Sequence, residues 1–203
     1  LLRDSTELDW DDKNLTAAHM ETLGMLLVTN GLPRLERIEL SDNQKIGAGG
    51  MPSLIEGLGR LALPSIEDFD VMACNIGNAG AATLAAALSR GAMPSLHTLD
   101  LGGNKLGDQG LIALAAPVRK LPVLAQLWLY DNQIGDEGVA ALVAPGEGVL
   151  PKLHGLELDD NKLTDQGCAA LASTLSSGAM PELKMLELLS RYRERDDASN
   201  PAS

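Results

Sequence analysis

Aromatic residues, cysteines and long apolar runs are all scarce in this chain, and each scarcity limits what the protein can be. Phe, Trp and Tyr make up 2% of the 203 residues and apolar residues 45%, so an interior must be built mainly from aliphatic side chains. Two cysteines are too few for a disulfide framework, which favours a reducing compartment. No run reaches the roughly 18 apolar residues of a membrane span, and the N-terminus lacks a secretory pattern. We therefore expect an intracellular protein without membrane insertion.

The compartment stays open within the cell. The cysteine usage fits the cytoplasm, but the chain begins at Leu1 rather than at a methionine, which is compatible with a processed N-terminus and an organelle.

Basic residues are also few relative to acidic ones. The chain has 16 Lys and Arg against 28 Asp and Glu, a formal net charge of −12. Binding to nucleic-acid phosphates requires clustered Lys and Arg. The composition therefore argues against a nucleic-acid partner and favours a protein partner with a basic surface.

What the chain has in abundance is repetition. The stretch LHTLDLGGNKLGDQG at 96–110 returns as LAQLWLYDNQIGDEG and LHGLELDDNKLTDQG, which share the template LxxLxLxxNxL. Positions 4 and 6 of this template are apolar in every copy, and alternation of this kind predicts a short strand with those two side chains turned inward. The template fits seven times, starting at residues 5, 35, 66, 96, 124, 153 and 183.

A helix is expected after each strand, because Ala- and Leu-rich runs such as AATLAAAL follow the template. Asn78, Asp108, Asp136 and Asp165 precede these runs and are predicted to cap the first turn of their own helices. A glycine follows each of them by two residues, as in GDQG, and is predicted to let the helix approach the strand layer.

This strand–turn–helix pattern resembles the leucine-rich repeat family, and within it the ribonuclease-inhibitor-like class. The resemblance implies an α/β solenoid, a curved horseshoe segment of about seven repeats with a parallel sheet on the concave face and helices on the convex face. Residues 1–190 are expected to form this single solenoid, and 191–203 a charged C-terminal tail. The family's asparagine ladder corresponds to Asn43, Asn104, Asn132 and Asn161, while Lys13 and Cys74 depart from it.

Charge is predicted to be concentrated on the concave face. Template positions 3, 5 and 7 alternate with the inward positions, and position 8 follows closely. In the seven copies these positions hold 14 acids and one base, Arg37, whereas the remainder of the chain holds 14 acids and 15 bases. Nearly all the net charge is thus assigned to one surface, although acids on a solenoid also serve solubility alone.

Two of the five aromatic residues, Trp128 and Tyr130, lie on one strand at outward positions. Buried Trp and Tyr side chains dominate interface energetics, so they are predicted to form the centre of a protein-binding site. The alternative is that they cover an apolar patch within the array. The full set of predicted protein-binding residues is Asp9, Asp11, Glu39, Asp70, Asp100, Trp128, Tyr130, Asp131, Glu157, Asp159, Asp160 and Glu187.

The sequence therefore predicts a non-catalytic scaffold that binds a basic protein through an acidic concave face. No catalytic motif stands out, no cofactor is expected, and a row of carboxylates without a convergent loop predicts no metal site. Two alternatives remain. One is an accessory structural subunit of a larger assembly. The other is a regulator similar to the activators of Ran-type GTPases, for which Arg37, on a strand rather than a loop, is a poor match.

Overall fold

A computed structural model describes residues 4–29, 32–60, 62–145 and 150–189. Within these residues, short strands alternate with helices. The strands are β1 Glu7–Asp9, β2 Arg37–Glu39, β3 Asp68–Asp70, β4 Thr98–Asp100, β5 Gln126–Trp128, β6 Gly155–Glu157 and β7 Met185–Glu187. The helices are α1 Ala17–Val28, α2 Gly47–Ile55, α3 Gly77–Ser89, α4 Asp108–Val118, α5 Asp136–Leu142 and α6 Asp165–Ser176. The predicted tail at 191–203 lies outside the described residues.

The strands form one parallel sheet in chain order from β1 to β7. Each strand covers template positions 3 to 5, and the pairing register joins equal positions of neighbouring copies. Each helix contacts the helix of the next unit. The architecture is therefore an α/β solenoid, as the repeated template predicted.

The core is a layered aliphatic interior. Side chains at position 4 form one continuous row beneath the sheet, in which Leu8, Ile38, Phe69, Leu99, Leu127 and Leu156 are all buried. Position 6 is buried in the same way from Leu40 to Leu158, whereas Trp10 and Leu188 near the two ends are only partly buried. A side chain at an end of the array has a neighbouring unit on one side only, so burial falls there.

The side-chain amides at position 9 join neighbouring units. Asn132 Oδ1 accepts from the N–H groups of Asn104 and Leu106 at 3.1 and 2.9 Å, and its Nδ2 donates to the carbonyl of Leu101 at 2.9 Å. Asn43, Asn104 and Asn161 make equivalent contacts with the preceding unit. These amides satisfy backbone groups that the turns would otherwise leave unpaired in the interior.

The two departures from this ladder have local explanations. The buried Cys74 thiol donates to the Leu40 carbonyl at 2.9 Å, so it keeps one contact that an amide would make. Burial raises the pKa of this thiol to about 12, which keeps it protonated as a donor. Lys13 belongs to the first described unit and extends its ammonium to the backbone carbonyl of Asp11 at 3.0 Å.

The predicted helix caps act across units, which corrects the sequence expectation. Asp108 Oδ1 accepts from the N–H groups of Gly135 and Gly138, at 2.7 and 2.8 Å, at the start of α5 rather than of its own helix α4. Asn78 and Asp136 cap α4 and α6 in the same manner. The N-termini of α4, α5 and α6 are therefore capped by the preceding unit, and at α5 and α6 the cap is a carboxylate, which also interacts favourably with the helix dipole.

The glycine two residues after each cap has a related role. A Cβ on Gly138 would lie 2.7 Å from the capping Asp108 Oδ1, and a Cβ on Gly110 would lie 2.7 Å from Asn78 Oδ1. The expectation that these glycines make room for the strand layer was therefore wrong. Gly110, Gly138 and Gly167 make room for the cap of the preceding unit, whereas a Cβ on Gly80 would meet the side chains of Ile76 and Met51.

Candidate functional site

The sheet face is defined here as the surface that carries positions 3, 5 and 7 of the template, opposite the buried position-4 row. Position 5 forms a single lateral row across it, since each of its members pairs in register with the next. Adjacent parallel strands lie about 4.8 Å apart, so six carboxyl groups and one indole follow one another at this spacing. The row is Asp9, Glu39, Asp70, Asp100, Trp128, Glu157 and Glu187.

Exposure varies along this row. Asp9 is exposed, and Glu39, Asp70, Trp128, Glu157 and Glu187 are partly buried. Asp100 is only 4% exposed, so the expectation that it lies open on this face is wrong. A second predicted residue, Asp159 at position 7, is also buried, with 8% exposed. Neither carboxyl group offers much surface to a partner.

Asp100 is buried because Tyr130 covers it. The Tyr130 ring lies over Gly102, where an added Cβ would lie 2.7 Å from both Cε atoms of the ring. The Tyr130 hydroxyl donates to Asp100 Oδ2 at 3.5 Å, and the Gly102 N–H donates to Asp100 Oδ1 at 2.8 Å. A glycine beside the tyrosine in the lateral row at position 7 is the signal in the sequence that could have predicted this packing.

Burial has electrostatic consequences in this part of the face. Desolvation, followed by the nearby charge of Asp70, raises the pKa of Asp100 to about 7. Burial and the neighbouring carboxylates also raise the pKa of the Tyr130 hydroxyl, which stays protonated and able to donate. Trp128, two residues before Tyr130, has a buried indole nitrogen with no hydrogen-bond partner among the described residues.

A dense acidic cluster lies at the other end of the face, on β1 and β2. One carboxylate oxygen from each of Asp9, Asp11 and Glu39 lies within 4.8 Å of the others. Partial burial, followed by neighbouring acids, raises the pKa of Glu39. Burial also raises the pKa of Asp11, although the Ser41 N–H, which donates to its Oδ1 at 2.6 Å, opposes the shift. Like charges are thus crowded at these two strands.

Several acids have a local structural reason for their identity. Position 8 has a positive φ in every described copy, including Asp12 at 51°, Asp42 at 60°, Asp131 at 48° and Asp160 at 52°. Asp is one of the few residues with a side chain that tolerate this left-handed conformation. Asp131 and Asp160 are exposed as predicted, but the turn geometry already accounts for an aspartate at these sites.

The one base predicted on this face is engaged locally. Arg37 Nε lies 3.0 Å from Asp68 Oδ2 on the neighbouring strand, and both side chains are partly exposed. This arginine therefore lies on a strand in an ion pair rather than on a loop.

Among the described residues, no helix is long and apolar enough to cross a membrane.

Comparisons with known proteins agree with the repeated architecture. The sequence profile described as "Leucine Rich repeat" matches residues 62–85, 92–115, 126–143 and 149–172, which contain the strands β3, β4, β5 and β6. No curated protein matches the chain.

One similar solved chain is from "Crystal structure of TLR13-ssRNA13 complex", with 16% identity and a TM-score of 0.28. The alignment covers 87% of this chain and 34% of that one, so this chain spans about a third of its length. That score is too low to support any inference about function. The four profile matches coincide with strand–helix units of the structure, and the chain belongs to the leucine-rich repeat family.

Proposed function

We propose that the protein is an interaction scaffold that binds a protein with a basic surface through its sheet face. The observation that carries this proposal is the position-5 row, in which carboxylates of neighbouring strands pair in register on both sides of Trp128. The rest of the chain is close to electrically neutral, with 14 acids and 15 bases outside template positions 3, 5, 7 and 8.

The energetics of the row favour a cationic partner. Like charges opposite one another on adjacent strands repel, by roughly 0.2–1 kcal/mol per exposed pair after screening. The unbound face therefore carries a cost that Lys and Arg side chains of a partner would relieve. A field of one sign also steers an oppositely charged partner and increases its association rate at low salt.

The aromatic centre supplies the second element of the proposed surface. Tyr130 is held over Gly102 and Asp100, so little side-chain entropy is lost when a partner packs on it. Trp128 is partly buried next to it, and it pairs in register with Asp100 on one side and Glu157 on the other. We assign the direct contacts to these two aromatic rings and the more open carboxylates. Asp100 instead positions Tyr130.

The accessory-subunit alternative also has a structural observation in its favour. A hollow of about 450 Å³ lies beside β1 and α1 and is lined by Trp10, Leu15, Leu23 and Leu26, among others. Docking of a neighbouring subunit there would leave the sheet face free. The alternative that the protein regulates a GTPase has no comparable structural support, because Arg37 is paired with Asp68 on the sheet.

The proposal is tested by partner capture from native lysate with three baits. They are the wild-type protein, a Trp128→Ala, Tyr130→Ala double variant, and a control with Ile112→Ala and Val123→Ala, which removes exposed apolar side chains elsewhere. We expect the first double variant to lose more than about 10-fold in affinity for a basic partner, as for two hot-spot residues, and the control to lose little. Equal capture by all three baits would refute the docking surface.

A further inference from the structure

Two neighbouring units place four oxygen-bearing side chains at the corners of one small area of the sheet face. Asp9 and Glu39 are lateral neighbours at position 5. Asp11 and Ser41 are neighbours at position 7, where the Ser41 N–H donates to Asp11 Oδ1 at 2.6 Å. We call these four residues the β1–β2 quartet.

The carboxylates of the quartet converge to a distance that suits a single ion. One oxygen from each of Asp9, Asp11 and Glu39 lies within 4.8 Å of the other two. Two ligands on opposite sides of a Ca²⁺ ion, each about 2.4 Å from it, are separated by about 4.8 Å. An ion between these oxygens would lie within about 2.8 Å of all three, so small side-chain adjustments bring them to the roughly 2.3–2.6 Å of a Ca²⁺ ligand.

The Ser41 hydroxyl is an independent observation at the same place. The Ser41 side chain is only 4% exposed, and its Oγ has no hydrogen-bond partner in the described part of the chain. A buried hydroxyl without a partner is unfavourable. A cation, or a water molecule bound to one, would satisfy it.

The backbone places the Ser41 side chain on the same face of the sheet as the three carboxylates. The N–H groups of Leu40 and Asp42 donate to the β3 side, to Asp70 and Met72, whereas the Ser41 N–H donates back to Asp11. This alternation continues the strand past Glu39. Since Leu40 is fully buried beneath the sheet, the Ser41 side chain projects to the same face as Glu39.

No base forms an ion pair with the carboxylates of the quartet among the described residues, although the Lys13 ammonium contacts the backbone carbonyl of Asp11 at 3.0 Å. Within the described ranges, the ion pairs involve only Arg37, Lys152 and His154, and their partners are Asp68 and Glu182. The three carboxylates of the quartet are thus not paired with a Lys, Arg or His side chain in this part of the chain. The negative potential is increased by Glu7 and Asp70, which lie next to the quartet on the same face.

We propose that the β1–β2 quartet is a divalent-cation site that takes Ca²⁺. All its ligand atoms are oxygens, which Ca²⁺ prefers, whereas zinc sites are usually built from Cys and His. The three carboxylates and the hydroxyl supply four positions, and water completes the coordination. Because the site is open on the surface and is not a closed loop, the expected dissociation constant is on the order of 10⁻⁴ to 10⁻³ M.

This site is separate from the proposed protein-docking centre. Glu39 on β2 and Trp128 on β5 are three strands apart, roughly 14 Å. Ca²⁺ binding does not depend on any partner, so it can be tested with the metal ion alone and stands even if the docking proposal fails.

The experiment is a titration of Ca²⁺ by isothermal calorimetry, with a parallel measurement of Tm, on the wild-type chain and three variants. Glu39→Gln removes a ligand charge from the quartet. Glu157→Gln is the matched control, since it removes the same charge from the same template position four strands away. Ser41→Ala removes the hydroxyl without changing the charge. The carboxamide replacements are isosteric and circular dichroism checks that each variant is folded.

We expect saturable binding of one Ca²⁺ ion and a rise in Tm for the wild-type chain. Glu39→Gln should weaken binding by at least about 10-fold, in the range for the loss of a metal-orienting group, Ser41→Ala by several-fold, and Glu157→Gln by less than 2-fold. Lack of saturation up to 5 mM Ca²⁺, or equal losses for Glu39→Gln and Glu157→Gln, would mean a diffuse counter-ion atmosphere only and would overturn the site. An unchanged Ca²⁺ affinity in Ser41→Ala would show that the Ser41 hydroxyl is not part of the site.

Discussion

Strands β1 and β2 and strands β4 and β5 present the same template positions on one face, yet their side chains meet different surroundings. Asp9 and Asp100 both occupy position 5, but Asp9 is exposed and Asp100 is 4% exposed. The difference arises from the neighbours in the lateral row at position 7. Tyr130 lies over Gly102 and covers Asp100, whereas Asp9 has only small and acidic side chains beside it. Lateral packing, and not the template position, decides whether a carboxylate is available to a partner.

The largest expected effect comes from the core that both regions share. Leu99→Ala removes a fully buried side chain between two neighbouring strands, and we expect it to lower the free energy of unfolding by about 2–5 kcal/mol. Leu8→Ala makes the same change on β1, the edge strand of the described sheet, where the structure can relax more easily. Its cost should be at least about 1 kcal/mol smaller. Urea unfolding measures the free energy of unfolding of both variants, provided that their m-values are equal. Equal losses in the two variants would contradict the expected difference between an edge strand and a central strand.

The two regions are also expected to differ in how their contribution to the free energy of unfolding depends on pH. The pKa of Asp100 is raised from 3.8 to about 7, so the folded state holds a proton that the unfolded state has released between these pH values. The free energy of unfolding contributed by this group is therefore highest below pH 4 and falls as the pH rises to about 7. Asp100→Asn keeps an acceptor for the Gly102 N–H without the buried charge.

We expect Asp100→Asn to increase stability at pH 8 by about 2–4 kcal/mol, on the basis of about 1.4 kcal/mol per pKa unit, and to flatten the pH dependence. Asp9→Asn, at the exposed end of the row, should change stability by less than about 0.5 kcal/mol. Thermal unfolding from pH 4 to pH 8 measures both. The assignment fails if Asp100→Asn leaves the slope between pH 4 and pH 7 unchanged.

A smaller change removes the space in which Tyr130 lies. Gly102→Ala places a methyl group against the tyrosine ring, 2.7 Å from both Cε atoms, so the ring must move. We expect a loss of about 1–3 kcal/mol, as for other overpacked sites, together with greater exposure of Asp100. Tyrosine fluorescence and chemical denaturation measure the two effects.

The control for this substitution is Gly49→Ala, because a Cβ there has nothing within 4 Å and lies in α2. It should be neutral or stabilising by up to about 1 kcal/mol, given the helix propensity of alanine. Equal changes of stability in the two alanine variants would indicate that the position of the Tyr130 ring does not depend on Gly102.

The smallest expected effect is at the ion pair next to the acidic region. Arg37→Ala breaks the partly exposed contact with Asp68, and exposed pairs contribute only about 0–1 kcal/mol. The stability should hardly change, but the face becomes more acidic and the association rate with a basic protein should rise. A stopped-flow measurement at low salt checks this, and a slower rate would indicate that the arginine itself contacts the partner.

The sequence was sufficient to predict the repeat, the strand register and the inward leucines. These follow from an alternation that is local to each copy, and the pairing of Leu8 with Ile38 and of Leu99 with Leu127 confirms it. The assignment to the ribonuclease-inhibitor-like class and the role of the acidic face stay predictions.

Two of the features that sequence reasoning missed depend on contacts between copies. Asp108 caps the following helix, and Tyr130 covers an aspartate of the preceding strand. Reading one copy at a time could not find these contacts, since they are set by how neighbouring units stack. Comparing Gly102 with Tyr130, or the GDQG stretch of one copy with that of the next, supplies the missing information.

The central claim, that the face binds a basic protein through its carboxylates, is tested most directly by the salt dependence of association for three proteins. One is the wild-type chain, one carries Asp9→Asn, Glu39→Gln and Asp70→Asn on the face, and one carries Glu21→Gln, Glu56→Gln and Glu137→Gln at exposed sites on or next to helices. Both variants lose three charges. The account predicts that the association rate with the captured partner falls with salt and is reduced only in the face variant. Equal rates for the two variants would contradict it.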